Sequence, residues 1–302
     1  MSQALEDIRK KIDSIDNQVH DLLMERAALV FDIAAEKAKN KMQVVQPARE
    51  AMMLRRLLGR HQGPLPEPTI VQIWRELVGA VSLLQTGLSV IVTTKSDGTS
   101  PFWDMARNYF GSVLPMKKAN SPLIAIASVR DNESYFAVMP WPEDGDTNPW
   151  WTYLMGQEND PMRIALCLPY GSENENMQGQ TRALVVSKID FKSSGDDRSF
   201  VALELTSDVS RGKIVDVLKK IDLEVLSLHT KASPNSSLHL LELKSFIASD
   251  DVESLKKIQD AFDSNCLRCV SMGGYPAPPV FKKKTQSATA APKAESKIAT
   301  QK

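Results

Sequence analysis

The chain has 302 residues, of which 42% are hydrophobic, and its 37 Lys and Arg residues balance 37 Asp and Glu residues. The formal net charge of zero excludes a general electrostatic attraction to nucleic acid or to an anionic membrane. No apolar run approaches the roughly 20 residues needed to cross a bilayer, and the N-terminus lacks the apolar core of a signal peptide. Three cysteines, an odd number in so long a chain, indicate a reducing compartment. The composition therefore predicts a cytoplasmic globular protein of two or three domains.

Three helices are predicted in the first part of the chain. Residues 4–40 contain neither Gly nor Pro and predict one helix about 55 Å long. A second helix is predicted to start at Pro47, and a third to begin near Pro68 and to end before Gly87. The first helix is too long for a compact three-helix monomer, so we expect it to pack against a second copy of itself.

Two cations interrupt the apolar stripe of the first helix. At about 100° per residue, Arg26 lies within the stripe and Lys37 lies about 20° from Arg26. The apolar members of the stripe are Ile8, Ile12, Ile15, Val19, Leu22, Leu29, Val30 and Ile33. A cation on a core-facing stripe is costly to desolvate unless an anion meets it there. The pattern therefore predicts a pocket that binds an anion.

Further polar residues are expected at the same pocket. Arg49 and Glu50 open the second helix, and Gln85 lies on the apolar side of the third helix, one turn from Val81. Arg9 lies on the first helix but about 100° away from the stripe. We therefore expect Arg9 to reach the pocket of a partner chain and not the pocket of its own chain.

After the third helix, short apolar runs separated by turn residues predict an α/β region. A helix is predicted over Phe102–Phe110, between the first two strands. The predicted strands are Leu88–Val92, Leu123–Ser128, Tyr135–Met139, Arg163–Leu168 and Thr181–Ser187.

The last part of the chain predicts a second α/β unit. Its predicted order is strand 199–206, helix 211–220, strand 223–231, strand 236–246, helix 251–263 and strand 266–272. This βαββαβ order is typical of a ferredoxin-like fold. The chain ends in a Lys-rich stretch of low complexity, which predicts a disordered tail.

The helical part resembles the all-helical (type II) class of chorismate mutase. The similar segments are ALEDIRKKIDSIDNQVHDLLMERAALV, EKAKNK, PAREAMMLRRL and IWRELVGAVSLLQ, which together span residues 4–86. The resemblance implies an intertwined homodimer with two active sites and no metal or cofactor. It implies the Claisen rearrangement of chorismate to prephenate, a step of aromatic amino-acid biosynthesis.

The resemblance also implies roles for individual residues. The implied catalytic residues are Lys37 and Gln85, which donate toward the ether oxygen of chorismate, and Glu50, which accepts the substrate hydroxyl. The implied substrate-binding residues include Arg26, which binds one carboxylate, and Arg9 of the partner chain, which binds the other.

Two further substrate-binding positions are Arg49, which borders the pocket, and Val81. Many relatives carry a small polar residue where this chain has Val81, and some carry an acidic residue where it has Gln46. Neither departure removes a cation, so we expect an altered affinity and retained chemistry.

The region after the helices contains fragments that resemble prephenate dehydratase: DGTSPFWDMARNYFG, NESYFAVMPWPED and GQTRALVVSK. The segment between Trp141 and Thr181 is too short for the second lobe that this family inserts there, and Ala183 replaces an aromatic residue. The resemblance therefore implies a truncated and degenerate lobe. CVSMGGYP is similar to the closing strand of an ACT domain, although the phenylalanine-binding motifs of that family are not recognisable.

The predicted fold class is multidomain α plus α/β. The helical mutase domain is expected at 1–87, the dehydratase-like lobe at 88–192, the ACT-like domain at 197–278 and the tail at 279–302. The expected ligands are chorismate and prephenate, with no nucleic acid and no membrane as partner. One alternative is a bifunctional chorismate mutase/prephenate dehydratase. The other is a non-catalytic dimeric regulatory protein, whose helical charges pair with each other.

Overall fold

The computed structural model describes residues 2–39, 43–94, 98–132, 135–156, 162–172, 177 and 179–282. Within the first helix, the side chains at positions 31, 34, 35, 37 and 38 lie outside the described part. Most of the predicted tail, from residue 283 onward, also lies outside it.

The N-terminal part folds into α1 (Gln3–Lys39), α2 (Pro47–Arg60) and α3 (Glu67–Thr86), which confirms the three predicted helices. Pro47 occupies the first turn of α2, where its fixed φ and missing N–H cost nothing. Gly87 ends α3 with a left-handed φ of 62°, which glycine adopts without strain. None of the helices in the described part of the chain combines the length and the apolar composition that a membrane-spanning segment needs.

Most of the apolar stripe of α1 is not covered by its own chain. Val30 is 9% exposed, and its carbonyl oxygen accepts a hydrogen bond of 3.0 Å from Nε2 of Gln85 in α3. The other seven stripe residues are between 43 and 64% exposed: Ile8, Ile12, Ile15, Val19, Leu22, Leu29 and Ile33. A helix that exposes so continuous an apolar face lacks a partner surface.

The rest of the described chain is built on nine strands, with four further helices. The strands are β1 (Val90–Thr93), β2 (Met116–Ala119), β3 (Phe136–Pro140), β4 (Arg163–Leu168), β5 (Ala183–Ser187), β6 (Asp197–Thr206), β7 (Val225–Ala232), β8 (Ser236–Leu243) and β9 (Cys266–Pro276). The helices are α4 (Trp103–Phe110), α5 (Pro122–Arg130), α6 (Arg211–Lys220) and α7 (Val252–Asp260), with short 3-10 turns at Trp150–Leu154 and Asp263–Asn265.

All nine strands form one mixed sheet in the order β2-β1-β3-β5-β4-β9-β6-β8-β7. Strand β1 runs parallel to β2 and β3, whereas β5 runs antiparallel to β3 and β4. Side chains alternate between the two faces, as expected of strands. Val90 and Val92 pack with α4, and Ile91 between them packs with α5.

The second half of the sheet has the predicted βαββαβ element order, with the strands arranged β9-β6-β8-β7. It joins the first half where Ile164 of β4 pairs in parallel with Gly273 of β9. A Cβ atom on Gly273 would lie 2.3 Å from the carbonyl oxygen of Ile164, and Gly273 has a φ of 85°, so only glycine fits this junction. The region is thus one large mixed-sheet α/β unit, and its division into 88–192 and 197–278 stays a prediction.

One predicted strand is wrong. Residues Leu123–Ser128 lie within α5 and not in a strand. Ser121 caps this helix by accepting a hydrogen bond from the backbone N–H of Ile124, and Pro122 occupies its first position. A short apolar run does not distinguish a strand from a buried helix, and here the capping residues decide.

The edge strand β2 was not predicted from the sequence. It carries Lys117 and Lys118, both exposed, at the edge of the sheet, where charged side chains oppose pairing with other chains. The remaining elements predicted between residues 88 and 187 are confirmed, and none of their ends is shifted by more than two residues.

The helical part (α1–α3) docks on the sheet region (β1–β9 with α4–α7) through both α3 and α2. Helix α3 packs against α4, where a Cβ atom on Gly79 would lie only 1.9 Å from the carbonyl oxygen of Phe110. From α2, the guanidinium of Arg55 donates to the carbonyl oxygens of Ser194 at 2.8 Å, Asp196 at 2.7 Å and Ala277 at 3.2 Å. These contacts hold α2 and α3 in place relative to the sheet.

We expect Gly79→Ala to lower the free energy of unfolding by about 1–3 kcal/mol, because the added methyl group meets backbone atoms that cannot move aside without separating α3 from α4. Chemical denaturation of the full chain measures this. Gly59→Ala is the matched control, because Gly59 also lies in a helix and has no atom within 4 Å of an added Cβ. The control should be neutral or stabilise by up to about 1 kcal/mol. Equal effects of the two substitutions would contradict the close approach of α3 and α4.

Candidate active site

A cavity of about 490 Å³ lies between α1, α2 and α3, a volume typical of sites for small molecules. Its apolar lining consists of Val30, Ile33, Val44, Met52, Met53, Val78 and Val81. Its polar lining consists of Arg26, Gln46, Arg49, Glu50, Arg56, Ser82 and Gln85. The cavity therefore combines apolar walls with a few polar groups, as ligand sites do.

Five of the seven predicted site residues line this cavity: Arg26, Arg49, Glu50, Val81 and Gln85. Arg9 does not line it, because it lies exposed on α1, about 25 Å along the helix axis from Arg26. Lys37 belongs to α1, but its side chain lies outside the described part of the structure. Tertiary structure thus brings together residues from three helices that are far apart in sequence.

Positive charge dominates the lining of the cavity. Arg26 is half-buried, and Arg49 and Arg56 are exposed. Among the described residues, none of these three guanidinium groups makes a salt bridge, and the one carboxylate in the lining is that of Glu50. Because Glu50 is paired elsewhere, the lining keeps three positive charges. An anion with more than one negative charge is the ligand that this arrangement favours.

Glu50 is paired with Arg75, a residue of α3 that is 3% exposed. Nη1 of Arg75 donates to Oε2 of Glu50 at 2.6 Å, and Nε donates to the carbonyl oxygen of Tyr109 at 2.7 Å. The guanidinium also stacks on the Tyr109 ring, 3.7 Å from its centroid. Burial acts against the charge of Arg75, but Tyr109 and Glu50 outweigh burial, so the pKa of Arg75 lies above its ordinary value. Arg75 is therefore a permanent cation, already paired by the protein.

Gln85 connects two walls of the cavity. Its Nε2 atom donates to the Val30 carbonyl oxygen at 3.0 Å and so ties α3 to α1. A side-chain amide carries two N–H groups, and this contact uses one of them. The second N–H leaves Gln85 able to donate to a ligand in the cavity.

Arg49 lies in a wall that two cavities share. A second cavity of about 270 Å³ lies between the start of α2 and residues 189–193 of the sheet region. Gln46, Arg49 and Met52 line both cavities. Arg49 is therefore reachable from the sheet region as well as from the space between the helices.

Two charged residues at this site were not predicted from the sequence. Arg56 follows Arg49 by seven positions on α2, a spacing that places both on one helix face, so the helical period could have found it. Arg75 lies between Val71 and Gly79 on the buried face of α3, where a lone cation calls for an anionic partner. That partner, Glu50 on another helix, is not visible in the sequence alone.

Residues 8–86 match the protein family described as chorismate mutase type II. This range covers nearly all of α1 to α3 and contains each predicted site residue. The helical part is therefore a chorismate mutase type II domain.

Two curated relatives are both named bifunctional chorismate mutase/prephenate dehydratase. The one from Aquifex aeolicus is 32% identical over 92 residues, which cover 29% of this chain and 25% of the relative. The one from Neisseria gonorrhoeae is 31% identical over 94 residues, which cover 30% of this chain and 25% of the relative. The chain thus matches about a quarter of the length of these relatives.

Among solved structures, the chain is similar to a prephenate dehydratase from Streptococcus mutans, with a TM-score of 0.43 and 11% sequence identity. The similarity covers 62% of this chain and 97% of that chain. A TM-score below 0.5 at this identity has no bearing on function.

Proposed function

We propose that this chain is an active chorismate mutase that rearranges chorismate to prephenate in the cavity between α1, α2 and α3. The observation that carries the proposal is the presence of three guanidinium groups without a carboxylate partner among the described residues, in a cavity whose other walls are largely apolar. The match of residues 8–86 to the type II family supports it. The proposal places the protein in aromatic amino-acid biosynthesis, and the composition favours a cytoplasmic location.

The chemistry of the reaction fits such a cavity. Chorismate carries two carboxylates and rearranges within one molecule, so the reaction needs no obligatory proton transfer and no covalent step. The protein has to hold the reactive folded conformer and to stabilise the charge that develops on the ether oxygen. Rigid, bidentate guanidinium groups suit the first task, and fixed hydrogen-bond donors suit the second.

The roles proposed for individual residues follow from this requirement. Arg26 binds one carboxylate, and Gln85 and Lys37 donate to the ether oxygen. Glu50 accepts the substrate hydroxyl through Oε1, because Oε2 is occupied by Arg75. Arg49 and Val81 border the substrate in the same cavity.

Arg56 joins these residues as a further cation in the lining. It increases the positive potential that attracts a dianion into the cavity.

The proposed functional unit is a homodimer. The exposed apolar stripe on α1 fits a second copy of the same helix, which would bury the stripe. Arg9 lies too far from the cavity of its own chain to contribute there. In the proposed dimer, Arg9 enters the partner's cavity and binds the second carboxylate.

We expect Arg26→Ala to lower kcat/KM for chorismate on the order of 100-fold, about 3 kcal/mol, because a fixed charge that stabilises the transition state is lost. Chorismate consumption by the full chain measures this. Arg60→Ala is the matched control, because Arg60 is an exposed arginine on α2 that does not line the cavity. Unchanged activity of the Arg26 variant would refute the proposed role of Arg26, and an inactive wild-type chain would favour a non-catalytic regulatory protein.

We expect Ile15→Asp to convert a dimer into a monomer, because a carboxylate in the middle of the stripe would be buried without a partner. Sedimentation velocity measures the oligomeric state. Activity should fall together with dimerisation, since each cavity would lose the partner's Arg9. Val252→Asp places the same charge at an exposed apolar position of α7 and should leave the dimer intact. A monomeric wild-type chain at micromolar concentration would refute the proposed assembly.

The name of the two relatives, bifunctional chorismate mutase/prephenate dehydratase, raises the question of dehydratase activity. Thr181 and Arg182 belong to GQTRALVVSK, one of the segments that resemble prephenate dehydratase. Thr181 is exposed, and the guanidinium of Arg182 stacks on the Trp141 ring, 3.5 Å from its centroid. Arg182 is thus engaged by the protein itself, which supports the proposal that the sheet region has no dehydratase activity.

We therefore expect no phenylpyruvate when purified chain is incubated with prephenate, because the segment between Trp141 and Thr181 is too short to form a second lobe opposite Thr181. Chromatographic detection of phenylpyruvate measures this, with a prephenate dehydratase as positive control. Enzymatic formation of phenylpyruvate would establish the bifunctional alternative and would leave the mutase proposal standing.

A further inference from the structure

Arg75 links the candidate active site to the sheet region. Its guanidinium contacts Glu50, which lines the cavity, and Tyr109, which belongs to α4 of the sheet region. The Arg75 and Glu50 side chains are 4% and 13% exposed. Tyr109 of the sheet region therefore helps to hold Arg75, the ion-pair partner of Glu50.

The geometry leaves the guanidinium little freedom. The Nε donor is used by the Tyr109 carbonyl, the Nη1 donor is used by Glu50, and the Tyr109 ring covers one face. Three contacts in fixed relative directions determine the plane of a rigid guanidinium group. Oε2 of Glu50 is consequently held at a defined point.

This arrangement has two consequences for the cavity. Oε1 of Glu50 has no hydrogen-bond donor among the described residues, so it remains as an acceptor for a ligand hydroxyl. In addition, a Glu50 already paired with Arg75 is not drawn to the cations Arg26, Arg49 and Arg56. Arg75 thus orients one acceptor and keeps three cations available for an anion.

We propose that Arg75 is a positioning residue for Glu50, and that the sheet region, through Tyr109, is a structural part of the mutase site. This inference rests on the proposed function, because the orientation of Glu50 matters only if Glu50 binds substrate. The sheet region then affects the kcat of the mutase directly, and this effect is independent of any dehydratase chemistry.

A purely structural role of Arg75 has to be separated from this positioning role. Arg55 offers the comparison, because it also ties the helical part to the sheet region, through Ser194, Asp196 and Ala277. Arg55 is not part of the cavity lining and makes no contact with Glu50 among the described residues. Arg55→Ala therefore weakens the docking of the helical part on the sheet region without disturbing the carboxylate of Glu50.

The experiment is steady-state kinetics of the full chain with chorismate, in a double-mutant cycle of Arg75→Met and Glu50→Gln. We expect Arg75→Met to lower kcat by at least 10-fold while KM changes less than threefold, because the reactive conformer is held less well. In the Glu50→Gln background, Arg75→Met should change kcat by less than twofold, because its effect passes through Glu50. Arg55→Ala should change kcat by less than twofold.

Two further variants keep the test decisive if Arg75→Met does not fold. Arg75→Lys keeps the charge but lacks the fork that binds Glu50 and Tyr109 together, so we expect an intermediate kcat. The Arg75→Met, Glu50→Gln double variant no longer buries an unpaired carboxylate and should fold better than Arg75→Met alone.

The outcomes distinguish the inference from the function on which it rests. Wild-type kcat in both Arg75 variants, or effects of Arg75→Met and Glu50→Gln that simply multiply, would overturn the positioning role while the wild-type chain remains a mutase. A drop in kcat for Arg55→Ala as large as for Arg75→Met would also overturn it, because docking alone would then explain the effect. A wild-type chain that does not convert chorismate would overturn both.

Discussion

The buried ion pair of Arg75 and Glu50 is the interaction around which the candidate site is arranged. A guanidinium at 3% exposure is tolerated because Glu50, the Tyr109 carbonyl and the Tyr109 ring replace its water. The pair joins α2 to α3, and the contacts of Arg75 with Tyr109 join α3 to α4. Because it also occupies the one carboxylate in the described lining, the cavity keeps a net positive charge. The same contact therefore stabilises the fold and leaves the site ready for an anion.

A second constraint comes from the length of α1. The helix meets α3 near Val30, but most of its apolar stripe is exposed to water. Burial of these side chains against another copy would contribute about 25 cal/mol for each Å² of apolar surface removed from water. The proposed dimer would cover the apolar stripe of α1. It would also bring Arg9 within reach of the partner's cavity.

The sheet region acts on the helices through few but specific contacts. Gly79 permits α3 to approach α4 at backbone distance, and Arg55 attaches α2 to the loop before β6 and to Ala277 after β9. Because β4 and β9 join the two halves in one sheet, α2 and α3 rest on a single continuous support. This gives the region a physical role in the proposed enzyme that requires no active site of its own.

The sequence by itself determined the three helices and the βαββαβ order. It also predicted a common pocket for Arg26, Arg49, Glu50 and Gln85, which the packing of the three helices brings together. Helical period, proline and glycine positions are local properties, and the resemblance to a known family supplied the rest. The strand predicted at Leu123–Ser128 failed because local capping by Ser121 outweighed apolar content. Only the tertiary structure decided the pairing of Arg75 with Glu50 and the continuity of the sheet through Gly273. Both depend on which surfaces meet in space, and no residue pattern along the chain encodes such long-range contacts by itself.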